Sequence, residues 1–261
     1  MIDIHSHPLP GVDDGAKTLE IAVEMCKMSA ADGVTHLVAT PHSNYTYTFD
    51  PGLNRQLIAE IQEKVGEKPQ LLLGCDFHLS YDNIQNCAQD SKDFTLNGTS
   101  YLLVELPDQF IPDHISRVYY EIQIAGLKPI ITHPERNALI QRKPELVEQW
   151  VASGCLIQVT AQSYTGGFGS KARKFSEKLF NDGLVHFFAS DAHDTKRRPP
   201  ILSECYKKLA AEKGEEIAEL IMRQNPHAVI NGLPMPQQPD WGGDNDGAPR
   251  KRSWYSFLLG K

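Results

Sequence analysis

The feature that most constrains the fold is a regular alternation of short apolar runs with helix-length amphipathic segments. Seven runs are rich in β-forming residues: 2–4, 36–39, 71–74, 101–104, 129–131, 156–159 and 185–189. Segments with apolar residues at helical spacing lie between most of them: 17–31, 54–65, 113–125, 144–152 and 171–180. Because no hairpin signal joins the runs, the pattern predicts an α/β fold with parallel strands and crossover helices.

Polar residues cluster directly after these runs, which favours a closed barrel over an open sheet, because a barrel brings the carboxyl ends of its strands to one face. Residues 201–211 and 215–223 are predicted to be two outer helices, and residues 80–98 a longer loop or broken helix. We therefore predict a single domain over residues 1–230. Residues 231–261 are predicted to be a flexible Pro/Gly/Asp-rich linker with a basic, aromatic tail, RKRSWYSFLLGK.

Composition excludes several classes of protein. The chain has 261 residues, of which 41% are hydrophobic, and this fraction is enough to build a core. Its net charge of −7 argues against nucleic acid as the main partner. No apolar run approaches the ~20 residues that span a bilayer. The opening MIDIHSH lacks a basic and apolar leader, and the five cysteines are scattered, so a cytoplasmic location is expected.

Residue types that bind metals follow the predicted strands. His5 and His7 are two residues apart on the first strand, so both imidazoles can reach one ion. Others come after the remaining strands or in the first loop: Asp13 or Asp14, His42, Asp76, Glu105, His133, Asp191 and His193. A buried carboxylate is costly without a partner. Their meeting at one barrel face therefore predicts a polynuclear metal site.

The order and spacing of HSH, PH, THPER and SDAH resemble the polymerase-and-histidinol-phosphatase (PHP) superfamily over residues 1–230. Within it, MIDIHSHPLPGVDDG, VELP, THPER and SDAHxxxxRPP are most similar to bacterial PHP-type protein-tyrosine phosphatases of exopolysaccharide and capsule loci. The resemblance implies a distorted, TIM-like (β/α)7 barrel with three divalent metal ions (Mn, Fe or Zn, with Mn favoured).

Matched by position, the resemblance assigns three ligand groups: His5, His7, Asp76 and Asp191; Asp76, Glu105 and His133; and Asp14, His42 and His193. Asp76 stands where the family usually has Glu, and Asp13 is a rival to Asp14. Arg136 is implied to bind the substrate phosphate together with Arg198, to which Arg197 is a rival.

The resemblance implies that a metal-bridged hydroxide attacks phosphotyrosine, the substrate being a bacterial tyrosine kinase that regulates exopolysaccharide or capsule synthesis. Three divalent ions outweigh the charge of four carboxylates, so the pocket would attract a phosphate dianion. No cysteine has Arg six positions later, which excludes cysteine-dependent phosphatase chemistry. The alternatives are a small-molecule phosphatase such as histidinol-phosphatase, and a non-catalytic, metal-stabilised partner-binding protein.

The sequence leaves two interpretations for the role of His78 and two for the role of the C-terminal tail. His78, two residues after Asp76, is either a packing residue or a substrate contact in the same pocket. The basic-aromatic tail either docks on a partner or an anionic membrane surface, or is a frayed end.

Overall fold

A computed structural model of the chain describes residues 1–79, 83, 91–107 and 110–238, which form a mixed α/β fold. The strands in these ranges are β1 (Ile2–Ser6), β2 (His36–Ala39), β3 (His42–Ser43), β4 (Gln70–Leu73), β5 (Asp76–His78), β6 (Tyr101–Glu105), β7 (Lys128–Thr132), β8 (Leu156–Thr160) and β9 (Phe187–Ala189). All their pairings are parallel, as predicted. Each of the seven predicted runs overlaps a strand, and β3 and β5 are short additions after the second and third.

The strands form two sheets, ordered β1-β2-β4 and β3-β5-β6-β7-β8-β9. The chain passes from the first sheet to the second twice, between β2 and β3 and between β4 and β5. Pro41 lies between β2 and β3, and because it has no N–H it cannot donate a hydrogen bond to a neighbouring strand. At the second, an added Cβ on Gly74 would lie 2.6 Å from a methyl carbon of Leu96, so the close approach requires glycine. On the other side, a parallel bridge between Ser6 and Ala192 joins the two sheets.

Alternate residues of the strands enter two different apolar clusters. The smaller cluster contains Ile2, Ile4, Val38, Leu96, Tyr101, Leu103, Ile130, Phe187, Ala189, Val229 and Ile230. The intervening residues, such as Leu102 and Val104 of β6, belong to a larger cluster with the helices. Burial of both faces is characteristic of parallel sheets covered by crossover helices, and it explains why the predicted runs are almost continuously apolar.

The described helices are Leu19–Ala31, Pro51–Val65, Ser91–Phe94, Ile115–Ile124, Ala138–Arg142, Glu145–Ala152, Ala161–Thr165, Gly169–Asn181, Ser203–Lys213, Glu215–Glu219 and Asn225–Ile230. The segments Leu96–Gly98 and Pro134–Arg136 are 3₁₀-helical, and Leu220–Gln224 is π-helical. The second helix begins three residues before its predicted start. Asp50 caps it by accepting a hydrogen bond from the Leu53 N–H at 3.0 Å, and proline is favourable in a first helical turn.

Three short helices, Ala138–Arg142, Ala161–Thr165 and Asn225–Ile230, were not predicted because five or six residues give too little periodicity. The predicted loop at 80–98 lies partly outside the described residues, and its described part includes the helix Ser91–Phe94. The basic-aromatic tail also lies outside them. Each helix of the described ranges is too short or too polar to span a membrane.

Candidate metal centre

The predicted metal ligands converge where the strands end. They are His5, His7, Asp14, His42, Asp76, Glu105, His133, Asp191 and His193. Two of the connections there have a strained backbone: His133 has φ 32° and Asp191 has φ 50°, a left-handed conformation that costs side-chain-bearing residues about 1–3 kcal/mol. Gly15 closes the first loop against the site, since an added Cβ would lie 2.1 Å from the carbonyl oxygen of His7.

The first group of ligand atoms comes from His7, Asp14, His42 and His193, and these atoms all lie within 4.8 Å of one another. Oδ1 of Asp14 is 3.3 Å from Nε2 of His42 and 3.4 Å from Nε2 of His193. The structure thus brings together the three residues of one predicted group and adds His7 to them.

The second group surrounds the two histidines of the first strand. Nε2 of His5 and Nε2 of His7 are 3.2 Å apart, and Oδ1 of Asp191 is 3.4 Å from each. Oδ2 of Asp76 lies 3.6 Å from Nε2 of His5. His5 therefore lies next to the three other residues of another predicted group, and the ligand atoms of His5, His7 and Asp76 lie within 4.8 Å of one another.

The third group is centred on Glu105 and Asp76. Nε2 of His133 lies 3.5 Å from Oε1 of Glu105, so these two residues of the remaining predicted group are neighbours. Nδ1 of His42 is 3.0 Å from Oδ2 of Asp76 and 3.4 Å from Oε2 of Glu105. His78 also contacts Oε2 of Glu105, so the residue left open between packing and substrate contact lies among the ligand types.

Two arginines border the centre through Asp191. Nη1 of Arg136 contacts Oδ2 of Asp191, and Nη2 of Arg198 donates a hydrogen bond to the same oxygen at 2.5 Å. Both guanidinium groups lie over the ring of Phe168, at 4.9 and 5.8 Å from its centroid. Arg197 is exposed, and its carbonyl oxygen accepts a hydrogen bond from Gln162, so only its neighbour is drawn into the site.

Residues behind the histidines fix which nitrogen faces the centre. Nδ1 of His7 donates to Oδ2 of Asp13 at 2.7 Å, and Nδ1 of His5 donates to Oε1 of Gln158 at 2.9 Å. With the proton on Nδ1, the Nε2 lone pair points inward, which is the usual arrangement of a metal-binding histidine. The two adjacent aspartates thus differ in position: Asp13 supports a histidine from behind, and Asp14 faces the ligand cluster.

Sequence reasoning did not single out Gln158 or Phe168. Gln158 is a buried polar residue inside the apolar strand run LIQVT, and that interruption was the available signal. Phe168 stands among glycines in GGFG, directly after a short helix that follows β8, which marks a tight loop at the carboxyl end of a strand.

The charges of the site favour a bound cation. Burial would raise the pKa of the Asp191 carboxyl, but Arg136 and His5 hold it well below its usual range. Burial would lower the pKa of His5, yet Asp191 and Asp76 raise it to about 9. Burial, followed by Arg136, lowers the pKa of His133 to about 3, so this imidazole is neutral and able to bind a metal. The ionised carboxylates therefore stabilise a positive charge on the nitrogens that face them, whether a proton or a metal ion carries it.

The residues present fit divalent metal ions. Both side-chain oxygens of Asp76 and Oε2 of Glu105 are buried, and no hydrogen bond from the described residues satisfies them. With Nδ1 of both His5 and His7 occupied, Nε2 of one ring faces Nε2 of the other at 3.2 Å, so the two rings share either a proton or a metal ion. A donor set of imidazoles and carboxylates suits Mn, Fe or Zn.

The chain is similar to known proteins over most of its length. The family described as "Capsular polysaccharide synthesis, CpsB/CapC" matches residues 1–231. The chain is 33% identical to tyrosine-protein phosphatase YwqE of Bacillus subtilis, over 92% of this chain and 95% of YwqE. It is 36% identical to the putative tyrosine-protein phosphatase CapC of Staphylococcus aureus, over 99% of this chain and 100% of CapC.

A solved structure is also similar over most of the fold. It comes from a study of YwqE from Bacillus subtilis and CpsB from Streptococcus pneumoniae, described as unique metal-dependent tyrosine phosphatases. It superimposes with a TM-score of 0.85 at 31% identity, and the match covers 92% of this chain and 98% of the other. This likeness and the family match over nearly all of the described residues extend the resemblance recognised in the sequence motifs. The chain belongs to the CpsB/CapC family of capsular polysaccharide synthesis proteins.

Proposed function

We propose that the chain is a metal-dependent protein-tyrosine phosphatase, a hydrolase of phosphoric monoesters. The observation that carries this proposal is a buried cluster of histidines and carboxylates with unsatisfied polar atoms, bordered by two arginines. The names of the relatives, tyrosine-protein phosphatases YwqE and CapC, support the same activity.

The proposed cofactor is a set of three divalent ions, with Mn favoured over Fe or Zn by resemblance. The proposed ligand groups are His5, His7, Asp76 and Asp191; Asp76, Glu105 and His133; and Asp14, His42 and His193. When bound, such ions provide Lewis acidity toward phosphoryl oxygens and lower the pKa of a coordinated water. The chain contributes the fixed geometry, since Asp13 and Gln158 hold two imidazoles with Nε2 facing inward.

Arg136 and Arg198 are proposed to bind the phosphate. The guanidinium group of each arginine contacts Asp191 through one nitrogen and stacks on the ring of Phe168. The two side chains remain 26% and 22% exposed. A guanidinium has five N–H donors, so donors remain for phosphoryl oxygens where charge develops during transfer. The leaving tyrosinate, with a pKa of about 10, needs little assistance from an acid.

The proposed scaffold is a distorted (β/α)7 barrel spanning residues 1–230. Three features support closure of the two sheets into a barrel. They are the Ser6–Ala192 bridge between the sheets, the two passages of the chain from sheet to sheet, and an apolar cluster that contains alternate residues of β1, β2, β6, β7 and β9. Residues 231–261 are proposed to follow as a linker and tail. Docking of the tail on a partner or membrane surface is a proposal based on its composition.

The proposed physiological substrate is an autophosphorylated bacterial tyrosine kinase that controls capsule or exopolysaccharide assembly in the cytoplasm. This follows from the family to which the chain belongs and from the resemblance of its motifs. A protein phosphotyrosine carries an aryl phosphate on an extended chain, and the partly exposed arginines at the edge of the site suit such a group.

The test compares kcat/KM for a phosphotyrosine peptide with kcat/KM for histidinol phosphate in Mn²⁺, using Asp191→Asn as the inactive control. We expect strong preference for the peptide and loss of hydrolysis in the control. Preference for histidinol phosphate would make the chain a small-molecule phosphatase. No hydrolysis of either substrate would favour the non-catalytic, metal-stabilised alternative.

A further inference from the structure

Five buried polar atoms at one edge of the centre have no hydrogen bond within the described part of the chain. They are Nδ1 of His42, Oδ1 and Oδ2 of Asp76, Nε2 of His78 and Oε2 of Glu105. Four of them lie against one another in close imidazole–carboxylate contacts that lack hydrogen-bond geometry, and a cation that all four side chains bind would satisfy them together. His78 is the member that none of the ligand groups proposed above contains.

The four side chains are arranged as ligands of one ion. One atom from each lies within 4.8 Å of the atoms of the other three. Nε2 of His78 contacts Oε2 of Glu105, and Nδ1 of His42 lies 3.0 Å from Oδ2 of Asp76. The His78 side chain is 24% exposed, which places it on the solvent side of the buried carboxylates.

His42 alone cannot satisfy both groups of ligands that it faces. Its Nε2 lies 3.3 Å from Asp14, while its Nδ1 points toward Asp76 and Glu105. A neutral imidazole has a single free lone pair, so His42 binds an ion on one side only. If His42 binds with Asp14 and His193, the opposite position retains Asp76, Glu105 and His133, and His78 is positioned to add a second imidazole there.

The backbone holds His78 in this position. The amide of Asn83 donates to the His78 carbonyl oxygen at 2.8 Å and to the Ser43 carbonyl oxygen at 2.5 Å. The Ser43 hydroxyl in turn donates to Oδ1 of Asn83 at 2.8 Å. These bonds tie β5 to β3 beside the ligand cluster, so the imidazole of His78 is held near its carboxylate partners without a bound ion.

We propose that Nε2 of His78 is a metal ligand at the position held by Asp76 and Glu105. This inference rests on the proposed metal-dependent function. It replaces both earlier interpretations of His78, as a packing residue and as a substrate contact. Together with His133, the position then has two imidazoles and two carboxylates, a donor set that suits Mn, Fe or Zn.

The experiment measures metal binding directly in the full chain. Wild type, His78→Gln and His78→Ala are stripped with EDTA, titrated with Mn²⁺ by equilibrium dialysis, and loaded with Co²⁺ for visible absorption. His36→Gln is the matched control, because His36 is also partly buried but lies at the amino end of β2. We expect one Mn²⁺ to bind at least about tenfold more weakly in both His78 variants. We also expect their Co²⁺ spectrum to change and the control to match wild type.

A third variant separates ligand loss from misfolding. His78→Asp retains a metal-binding group, so its Mn²⁺ affinity should exceed that of His78→Ala, while the melting temperatures of the EDTA-treated variants remain similar. Wild-type Mn²⁺ binding in His78→Ala, with only KM for the peptide increased, would overturn the inference and restore the substrate-contact role. Metal binding that depends on His78 in a wild type without phosphatase activity would instead refute only the proposed function.

Discussion

Asp13→Asn tests how the chain prepares a histidine to bind metal. Oδ2 of Asp13 accepts hydrogen bonds from Nδ1 of His7 at 2.7 Å and from the His42 N–H at 3.2 Å, and Oδ1 accepts from the Gly15 N–H at 2.9 Å. Asparagine replaces one of these oxygens with an NH₂ group, which can only donate. Every neighbour of that position is also a donor, so one contact must fail.

The favoured relaxation moves a proton within His7. If the NH₂ group faces His7, the imidazole keeps a hydrogen bond only by carrying its proton on Nε2, and this removes the lone pair that faces the metal centre. Loss of such a supporting contact weakens metal binding by about 10–100-fold. That change corresponds to about 1.4–2.7 kcal/mol of binding free energy.

The assay is the Mn²⁺ dependence of phosphotyrosine peptide hydrolysis. We expect Asp13→Asn to require about 10–100-fold more Mn²⁺ for half-maximal activity and to regain most of kcat when Mn²⁺ is saturating. Asp14→Asn removes a proposed ligand and should recover less. Asp182→Asn is the control, because Asp182 pairs with Lys178 on an exposed helix end. An unchanged Mn²⁺ requirement in Asp13→Asn would refute the supporting role of Asp13.

Other side chains give further predictions. Arg136→Lys should lower kcat/KM for the peptide by about tenfold or more, because lysine cannot contact Asp191 and phosphate with a planar fork; unchanged kcat and KM would remove the phosphate role. Phe168→Leu should raise KM about two- to fivefold through loss of cation–π contacts worth about 0.5–1 kcal/mol, and an unaltered KM would contradict this. Burial lowers the pKa of His186 from 6.5 to about 4, so the unfolded chain binds the extra proton as pH falls from about 6.5 to 4 and stability declines. Urea unfolding in EDTA should therefore show wild type losing about 2 kcal/mol more than His186→Gln between pH 8 and pH 5, and equal losses would exclude this linkage.

The sequence predicted the parallel arrangement because burial on both faces leaves a continuous apolar signal in the strands, as in YLLVE. It did not predict β3 and β5. They consist of two and three residues that follow Pro41 and Cys75, and such short, polar segments have no measurable periodicity. Their pairing depends on neighbouring strands that are distant in sequence.

The ligand types were predictable because histidines and carboxylates stand directly after apolar runs, and parallel strands bring those positions together. The different roles of Asp13 and Asp14 were not predictable, because adjacent residues of a loop have no periodicity that fixes the directions of their side chains. His78 and Gln158 acquire their contacts only when Glu105 and His5, from other strands, lie beside them.

The decisive measurement is phosphate release from a phosphotyrosine peptide by the purified chain before chelation, after EDTA, and after addition of Mn²⁺. Metal-dependent catalysis predicts that EDTA abolishes release and that Mn²⁺ restores it in wild type, while His133→Ala recovers little. Full activity in EDTA, or full activity of His133→Ala, would contradict the assignment of this metal centre to the reaction.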